Sequence, residues 1–177
     1  MTFCHRNDSS TENGELNLFQ VTQDIFVGRY ATRERVGALR NLKVTDILNV
    51  SDTPNQLTTD EGPFRSITWI DIEDRTLVPT DIAIKAIDII HRSLAVDAGR
   101  VYVHCMAGWN RSPTIIWLYL LACGLDSDDA KRLICANAFD AVPGHSLLVD
   151  SRLIATVRLH GRDNYLPHRR ATAIAPP

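Results

Sequence analysis

The sequence predicts an α/β fold, with a central and mostly parallel sheet of about five strands flanked by helices. Two observations lead to this class. Short apolar runs rich in Val and Ile recur along the chain, and longer segments with helical spacing of apolar residues separate most of them. This alternation is typical of parallel strands joined by crossover helices. The length of 177 residues suits one domain with a sizeable core.

The predicted strands are short and apolar, and polar or turn-forming residues bound them. "LNLFQVTQDIFVGR" contains two strands with a polar turn between them, and "RVYVHC" is predicted to be a buried strand. The five strands fall within residues 16–29 (two strands), 43–50, 65–72 and 100–105.

Five helices are predicted from apolar stripes and from start signals. Pro79, Thr80 and Asp81 form a start signal before a stripe that begins at Ile82. Ser127, followed by two aspartates, is the predicted N-cap of a later helix. The five helices span residues 31–42, 79–96, 112–123, 127–138 and 146–159.

The domain is expected to cover residues 17–161. Residues 1–16 are rich in Ser, Thr, Asn and Glu, which predicts a disordered N-terminal tail, and residues 162–177 are expected to be a C-terminal tail. The N-terminal residues contain no apolar signal-peptide core. The apolar stretch "TIIWLYLLACGL" is too short to span a bilayer, so no membrane association is expected.

Charge, cysteine spacing and histidine placement give no indication of a nucleic-acid partner or of a cofactor. The net charge of −2 and the pI of about 6.3 lack the basic excess of nucleic-acid-binding proteins. No two cysteines have C-x-x-C spacing and the histidines are scattered, so no metal or other cofactor is expected. Cys123 and Cys135 lie in apolar helical patterns and are predicted to be buried. A reducing, cytoplasmic location fits this cysteine usage.

The segment "VHCMAGWNRSPT" (103–114) indicates a phosphate site. A strand ends at His104–Cys105, and a helix is expected to begin near Ser112–Pro113, because Ser is a good N-cap and Pro is favoured in the first turn. The intervening loop therefore lies at a helix N-terminus, where free N–H groups and the helix dipole attract anions. Ala107 and Gly108 keep the loop small enough for its amides to turn inward.

Two side chains would make this anion site a chemical one. Arg111 can grip two phosphate oxygens with its planar fork, and positive charge at the helix terminus favours a thiolate nucleophile at Cys105. The thiolate would attack phosphorus and form a phosphocysteine. The Ser112 hydroxyl is placed to assist the departure of the sulfur. The alternative interpretation is a buried structural cysteine beside a surface arginine. It is much less favoured, because His104, Gly108 and Ser112 accompany the pair between a predicted strand and a predicted helix.

Phosphate ester hydrolysis also needs a general acid to protonate the leaving oxygen. "WIDIEDRTLVPTDI" offers two aspartates. Asp74 lies in the predicted turn after a strand, from which a loop can reach a neighbouring strand end, and it is the favoured candidate. Asp71 lies within a strand-like alternation and remains the alternative. Arg75 is either a solvated arginine or a group that attracts the anionic substrate.

"HCMAGWNRS" resembles the H-C-x-x-G-x-x-R-[S/T] signature of the cysteine-dependent dual-specificity and tyrosine phosphatases. The flanking segments "VTDILNVSD", "IEDRTLVPTDI" and "RSPTIIWLYLL" are similar to the family as well, so the resemblance extends over residues 17–161. It implies the tyrosine-phosphatase-like fold of the compact dual-specificity type. The motif is specific to phosphate chemistry and not to one substrate.

The resemblance also implies a role for each residue of the loop. Cys105 would be the nucleophile, Arg111 the phosphate clamp, Asp74 the general acid and base, and Ser112 the helper in the second step. His104 would orient the loop and would not ligate a metal. The backbone amides that would bind phosphate belong to Met106, Ala107, Gly108, Trp109 and Asn110. Members of the family often have a small residue and a serine where Trp109 and Asn110 stand.

The predicted function is therefore hydrolysis of phosphotyrosine, extending to phosphoserine and phosphothreonine if the pocket is shallow, in a phosphorylated protein or peptide. Low-molecular-weight tyrosine phosphatases need an Asp-Pro that this chain lacks, and sulfur carriers of the rhodanese type do not explain Asp74. A phosphoinositide or RNA 5′-phosphate substrate and a non-catalytic phosphate-binding module remain as alternatives.

Overall fold

The computed structural model describes residues 17–165. The predicted N-terminal tail, 1–16, lies outside the described residues, and the predicted C-terminal tail, 162–177, overlaps them only at 162–165. The strands are β1 (Leu18–Gln20), β2 (Ile25–Gly28), β3 (Asp46–Asn49), β4 (Ser66–Trp69) and β5 (Val101–His104). The helices are α1 (Val36–Asn41), α2 (Thr80–Ala95), α3 (Arg111–Ala122), α4 (Ser127–Asn137) and α5 (Ser151–Asn164). Short 3-10 turns occur at Arg33–Arg35 and Thr59–Glu61.

The five strands form one mixed sheet in the order β1-β2-β5-β3-β4. Only β1 is antiparallel to its neighbour, and the other three pairings are parallel. The central strand β5 places His104 between Gly28 of β2 and Asn49 of β3. The predicted α/β class, with a mostly parallel sheet of about five strands, is confirmed.

Both faces of the sheet are covered, because successive side chains of a strand point to opposite sides. Val101 and Val103 of β5 pack in the larger apolar cluster, together with residues of α2, α3, α4 and α5. Tyr102 packs in the smaller cluster on the other side, which includes Leu39 of α1. This two-sided burial explains the continuous apolar sequence of β5.

Helix α3 lies at the centre of the larger layer. All twelve of its residues are buried, from Arg111 to Ala122, and it packs against α2, α4 and α5. A helix that is apolar around its whole circumference can be stable only in such a position. The helix that begins at the candidate phosphate loop is therefore the most enclosed of the five helices.

The last helix differs from its prediction at both ends. It spans Ser151–Asn164, because Asp150 is the N-cap and accepts a hydrogen bond from Leu153 N at 2.7 Å. Gly161, which resembles a stop signal, lies inside the helix at a close contact: a Cβ there would be 2.0 Å from the Ala122 carbonyl oxygen. The folded region therefore extends past the predicted boundary at 161, and Tyr165 is buried.

Three smaller predictions are also corrected. Residues 31–42 do not form one helix but a 3-10 turn followed by the shorter helix α1. Asp126, rather than Ser127, caps α4 by accepting a hydrogen bond from Asp128 N at 2.8 Å. Cys123 is buried as predicted, whereas Cys135 is only half-buried because α4 has an exposed face.

The parallel strands direct their following segments to one edge of the sheet. Cys105 follows β5, Asp52 lies three residues after β3, and Asp74 lies in the turn after β4. Residues that are distant in sequence therefore meet at the carboxyl ends of the strands, where open α/β sheets place their ligands.

Candidate active site

The loop between β5 and α3 consists of residues 105–110, with Arg111 as the first residue of α3. Its sharp turn depends on Gly108, whose φ of +78° lies in the left-handed region. The position is also crowded, since a Cβ there would be 2.6 Å from the carbonyl carbon of Gly28. The backbone of β2 thus sets how closely the loop can pack, and only glycine meets both requirements.

Carbonyl groups of the loop are bound to neighbouring segments. The Met106 carbonyl oxygen accepts from Tyr30 N at 3.3 Å, and the Trp109 carbonyl oxygen accepts from Val142 N at 2.8 Å. In contrast, the backbone amides of residues 106–110 donate no hydrogen bond to any residue in 17–165. The loop therefore offers five N–H donors beside a helix N-terminus, which is the requirement for holding an oxyanion.

Cys105 lies at the start of this loop and is 2% exposed. Its Sγ accepts a hydrogen bond from the Ser112 hydroxyl at 3.3 Å. The prediction that Ser112 is the N-cap is wrong, because Asn110 occupies the N-cap position and makes no side-chain capping bond. The Ser112 hydroxyl is directed to the sulfur instead, the contact that a leaving-step role for this residue requires.

His104 is 1% exposed, and its ring packs against two tyrosines. The ring centroid lies 5.5 Å from that of Tyr102 and 5.2 Å from that of Tyr30. Neither ring nitrogen has a partner in hydrogen-bonding geometry among the described residues, and burial lowers the pKa of His104 to about 3. A neutral, buried ring that packs between two tyrosines can fix the end of β5 beside the loop.

Arg111 is the buried cation of the site, with a side chain only 6% exposed. Its Nη1 donates to Asp52 Oδ1 and to the Ile72 carbonyl oxygen, both at 2.9 Å. Its Nε lies 3.8 Å from Asp74 Oδ1. The guanidinium therefore connects the segments that follow β3 and β4 to the phosphate loop.

The structure brings Asp74, and not Asp71, to the loop. Asp74 is in a turn, is 41% exposed, and its Oδ1 also accepts from Arg75 N at 3.1 Å. Asp71 is exposed just beyond the end of β4 and has no hydrogen bond or ion pair within residues 17–165. Arg75 has a φ of +58° and is exposed.

Asp52 belongs to the site and was not predicted. The hydrogen bond from Arg111 holds the pKa of the Asp52 carboxyl below its usual value. The only signal in the sequence is an aspartate soon after a predicted strand, in "SDTPN", which is also an ordinary turn composition. Recognising it would have required knowing that β3 and β5 are neighbours.

The remaining loop residues differ in exposure. Met106 and Trp109 are exposed, by 43% and 46%, while Ala107 and Asn110 are half-buried. Within residues 17–165, no group of three or more His, Cys, Asp or Glu side chains is arranged to hold a metal ion. In the same range, no helix is both long and apolar enough to cross a bilayer.

One known protein family matches most of the chain. The family model for the dual specificity phosphatase catalytic domain matches residues 25–149. The chain belongs to this family.

Several curated proteins are similar to this dual specificity phosphatase chain. Dual specificity protein phosphatase 26 of Bos taurus is 26% identical over 136 residues, which cover 75% of this chain and 61% of that protein. Human dual specificity protein phosphatase 13B is 28% identical over 135 residues, covering 69% and 68%. The chain spans between half and about three fifths of the length of the phosphatase 26 relatives.

Solved structures share the fold of the dual specificity phosphatase domain at low sequence identity. PTPMT1 has a TM-score of 0.69 at 16% identity, covering 83% of this chain and 99% of that one. A human tyrosine phosphatase-like serine/threonine/tyrosine-interacting protein has a TM-score of 0.65 at 21% identity, covering 80% and 95%. PTPMT1 in complex with PI(5)P is also similar, with a TM-score of 0.68 at 14% identity and coverage of 83% and 97%.

Within this dual specificity phosphatase domain, the segment 136–145 flanks the loop through the bond from Val142 N to the Trp109 carbonyl oxygen. The segment brings no arginine to the site.

Proposed function

We propose that this protein hydrolyses phosphotyrosine in proteins or peptides through a phosphocysteine intermediate, without a metal or cofactor. The observation that carries the proposal is the loop of five amides without internal acceptors, with Cys105 at one end and Arg111 at the other. These groups supply a nucleophile and the positive charge that phosphoryl transfer needs. A reducing compartment such as the cytoplasm suits a catalytic thiol.

In the first step, the Cys105 sulfur attacks phosphorus while the loop amides and Arg111 hold the three non-bridging oxygens. The bond between phosphorus and the ester oxygen breaks, and Asp74 gives its proton to that oxygen. The position of Asp74 near Arg111 Nε supports this role, because a phosphate held by the guanidinium would lie within reach of the carboxyl group.

In the second step, water attacks phosphorus and transfers a proton to the Asp74 carboxylate, and the bond between sulfur and phosphorus breaks. The hydrogen bond from Ser112 Oγ to Sγ would stabilise the thiolate as it leaves. Inorganic phosphate then departs, and both Cys105 and Asp74 return to their starting protonation states.

The substrate class is inferred from Trp109. Its indole is 46% exposed within the loop itself, while the Trp109 carbonyl is fixed by Val142 N. An aromatic ring next to a bound phosphate can stack on the indole, which favours phosphotyrosine over phosphoserine and phosphothreonine. Action on the latter two depends on the depth set by the segments 29–35, 51–60 and 73–80.

A phosphoinositide is the second candidate substrate, because a similar fold occurs in the PTPMT1 complex with PI(5)P. The loop side chains Met106, Ala107, Trp109 and Asn110 carry no positive charge to meet a further phosphate, which favours the peptide substrate. RNA 5′-phosphate is less favoured still because the chain has no basic excess. Phosphate binding without turnover remains the non-catalytic alternative.

We predict phosphate release from a phosphotyrosine peptide that exceeds release from the matched phosphoserine peptide and from vesicles containing PI(5)P. Trp109→Ala should raise KM for the phosphotyrosine peptide by about two- to tenfold, the range that one aromatic stacking contact provides. It should leave the phosphoserine peptide unaffected. The measurement is inorganic phosphate release in the presence of EDTA and a reductant.

Leu159→Ala, which removes an exposed apolar side chain on α5, is the matched control. It should leave KM for both peptides unchanged. Faster turnover of the lipid than of both peptides would overturn the peptide assignment. Tight binding of the phosphotyrosine peptide with no phosphate release would establish the non-catalytic alternative.

Asp74→Asn should slow the hydrolysis of aryl phosphates by an amount that grows with the basicity of the leaving group. The loss should reach about 10²- to 10⁴-fold for poor leaving groups, because only those need a proton in the transition state. For p-nitrophenyl phosphate the loss should be much smaller. The measurement is kcat across a series of substituted phenyl phosphates.

Asp71→Asn is the control for this series, since Asp71 is the neighbouring exposed aspartate without a contact to Arg111. It should behave as wild type with every leaving group. A leaving-group dependence that follows Asp71 instead of Asp74 would reassign the acid.

A further inference from the structure

The donors of Arg111 are divided between two edges of the guanidinium. An arginine side chain has five N–H groups in one plane. Both N–H groups of Nη1 are engaged, one by Asp52 Oδ1 and one by the Ile72 carbonyl oxygen. Nε and Nη2 donate no hydrogen bond to any residue in 17–165, and they form the other edge of the guanidinium, with two parallel N–H bonds suited to two oxygens of one phosphate.

The two carboxylates that approach Arg111 are near different nitrogens of its guanidinium group. Asp52 is bound to Nη1, whereas the Asp74 oxygen lies 3.8 Å from Nε. A phosphate on the Nε and Nη2 edge would therefore lie beside Asp74 and away from Asp52. This geometry separates the two aspartates by role, although both contact the same cation.

The segment that carries Asp52 is fixed by buried hydrogen bonds. Asn49 and Ser51 are fully buried, and the Ser51 hydroxyl donates to Asn49 Oδ1 at 2.7 Å. Asn49 Nδ2 donates to the Thr53 carbonyl oxygen at 2.8 Å, and Trp69 Nε1 donates to the Ser51 carbonyl oxygen at 2.8 Å. Asp52 therefore approaches Arg111 from a turn that is tied to β3 and to the end of β4.

The two side chains of the ion pair between Arg111 and Asp52 differ in solvent exposure. The Arg111 side chain is 6% exposed, and the Asp52 side chain is 52% exposed. A buried guanidinium needs its donors satisfied and its charge compensated, whereas a half-exposed carboxylate can be solvated by water. The ion pair thus fixes the orientation of the arginine more than it stabilises the aspartate.

We propose that Asp52 is a positioning residue that holds Arg111 by Nη1, so that the Nε and Nη2 edge stays directed toward the phosphate loop. The inference rests on the proposed phosphatase function, since it assigns the substrate-facing edge of the same arginine. Asp52 acts through Arg111 and does not exchange a proton with the substrate.

The test compares Asp52→Ala and Asp52→Asn with wild type, using inorganic phosphate as a competitive inhibitor of p-nitrophenyl phosphate hydrolysis. Asp52→Ala should raise both the inhibition constant and KM by about ten- to hundredfold, the ratio expected when one hydrogen bond between charged groups is lost. Asp52→Asn keeps an oxygen acceptor and should fall between Asp52→Ala and wild type.

Asp60→Asn is the matched control, because it removes one carboxylate charge from an exposed position in the same connection. It should leave the inhibition constant unchanged. If Asp60→Asn weakens phosphate binding as much as Asp52→Asn does, the effect comes from net charge and the positioning role is refuted.

Two further readouts distinguish positioning from a purely structural or acid role. The factor by which Asp52→Ala lowers the rate of hydrolysis should be the same for good and poor leaving groups, whereas the factor for Asp74→Asn should depend on the leaving group. In an Arg111→Lys background, Asp52→Ala should cause little additional weakening of phosphate inhibition, because lysine has no guanidinium for Asp52 to orient. Full additivity of the two substitutions, or a leaving-group dependence, would overturn the proposal.

Failure of this inference differs from failure of the proposed function. Suppose that Cys105→Ser abolishes turnover, while both Asp52 variants turn over substrate and are inhibited by phosphate as wild type is. The phosphatase assignment then stands and the positioning role is wrong. If Cys105→Ser retains full turnover, the nucleophile assignment fails, whatever the Asp52 variants do.

Discussion

Replacing Cys105 with serine is expected to abolish turnover while phosphate binding is retained. The side chain is 2% exposed and lies at the start of the amide loop, so the smaller hydroxyl fits without displacing other groups. A serine hydroxyl is a far weaker nucleophile than a thiolate, and loss of a catalytic nucleophile reduces kcat on the order of 10⁴- to 10⁶-fold. The measurement is p-nitrophenyl phosphate hydrolysis near pH 6 with EDTA and a reductant.

Binding of inorganic phosphate to Cys105→Ser, followed by calorimetry, checks that the loop is intact. Cys123→Ser is the control, since Cys123 is another buried thiol and lies just after α3; its activity per folded molecule should be preserved. Rapid acid quenching of the wild type during turnover should trap a phosphorylated protein that Cys105→Ser does not form. Turnover that survives in Cys105→Ser would refute the nucleophile assignment.

Exchanging Arg111 for lysine is expected to reduce kcat by about 10³-fold although the positive charge is kept, comparable to the loss of a phosphate-clamping arginine in phosphoryl transfer. Lysine presents a point charge, so it cannot bind two phosphate oxygens in one plane. It also cannot satisfy Asp52 and the Ile72 carbonyl while reaching the loop, as the guanidinium does. The measurement is kcat with p-nitrophenyl phosphate, together with inhibition by inorganic phosphate.

Arg132→Lys is the matched control, because Arg132 is an exposed arginine on α4 that pairs with Asp129. It should leave kcat unchanged. Thermal unfolding of Arg111→Lys, compared with wild type, shows whether the loss of kcat comes from the missing guanidinium or from an unfolded protein. Near-normal kcat in a folded Arg111→Lys protein would contradict the clamp role.

The parts of the site that could be predicted from the sequence are those that depend on local order. Cys105, Gly108 and Arg111 are close in the chain, and a strand before them and a helix after them fix the loop between. The identity of each strand and of most helices also follows from local apolar periodicity, which tertiary packing reinforces here. Asp74 was placed correctly in a turn, and its approach to Arg111 agrees with the preference for it over Asp71.

The parts that could not be predicted depend on contacts between distant segments. The ion pair between Asp52 and Arg111 joins residues 59 positions apart, and it exists because β3 and β5 are neighbours in the sheet. The end of α5 was misjudged for a similar reason. Gly161 is a stop signal in isolation, but here it allows the helix to pass close to the Ala122 carbonyl group.

The complete burial of α3 has a consequence for natural variation in this domain. The element that presents Arg111 to the loop is also the one around which the other helices are assembled. Substitutions in α3 after Ser112, from Pro113 to Ala122, should therefore alter the fraction of molecules that are folded, with little effect on the rate constant of each folded molecule. Variation that tunes the chemistry itself is left to the segments at the carboxyl edge of the sheet, which can change without disturbing the packing of the helical layer.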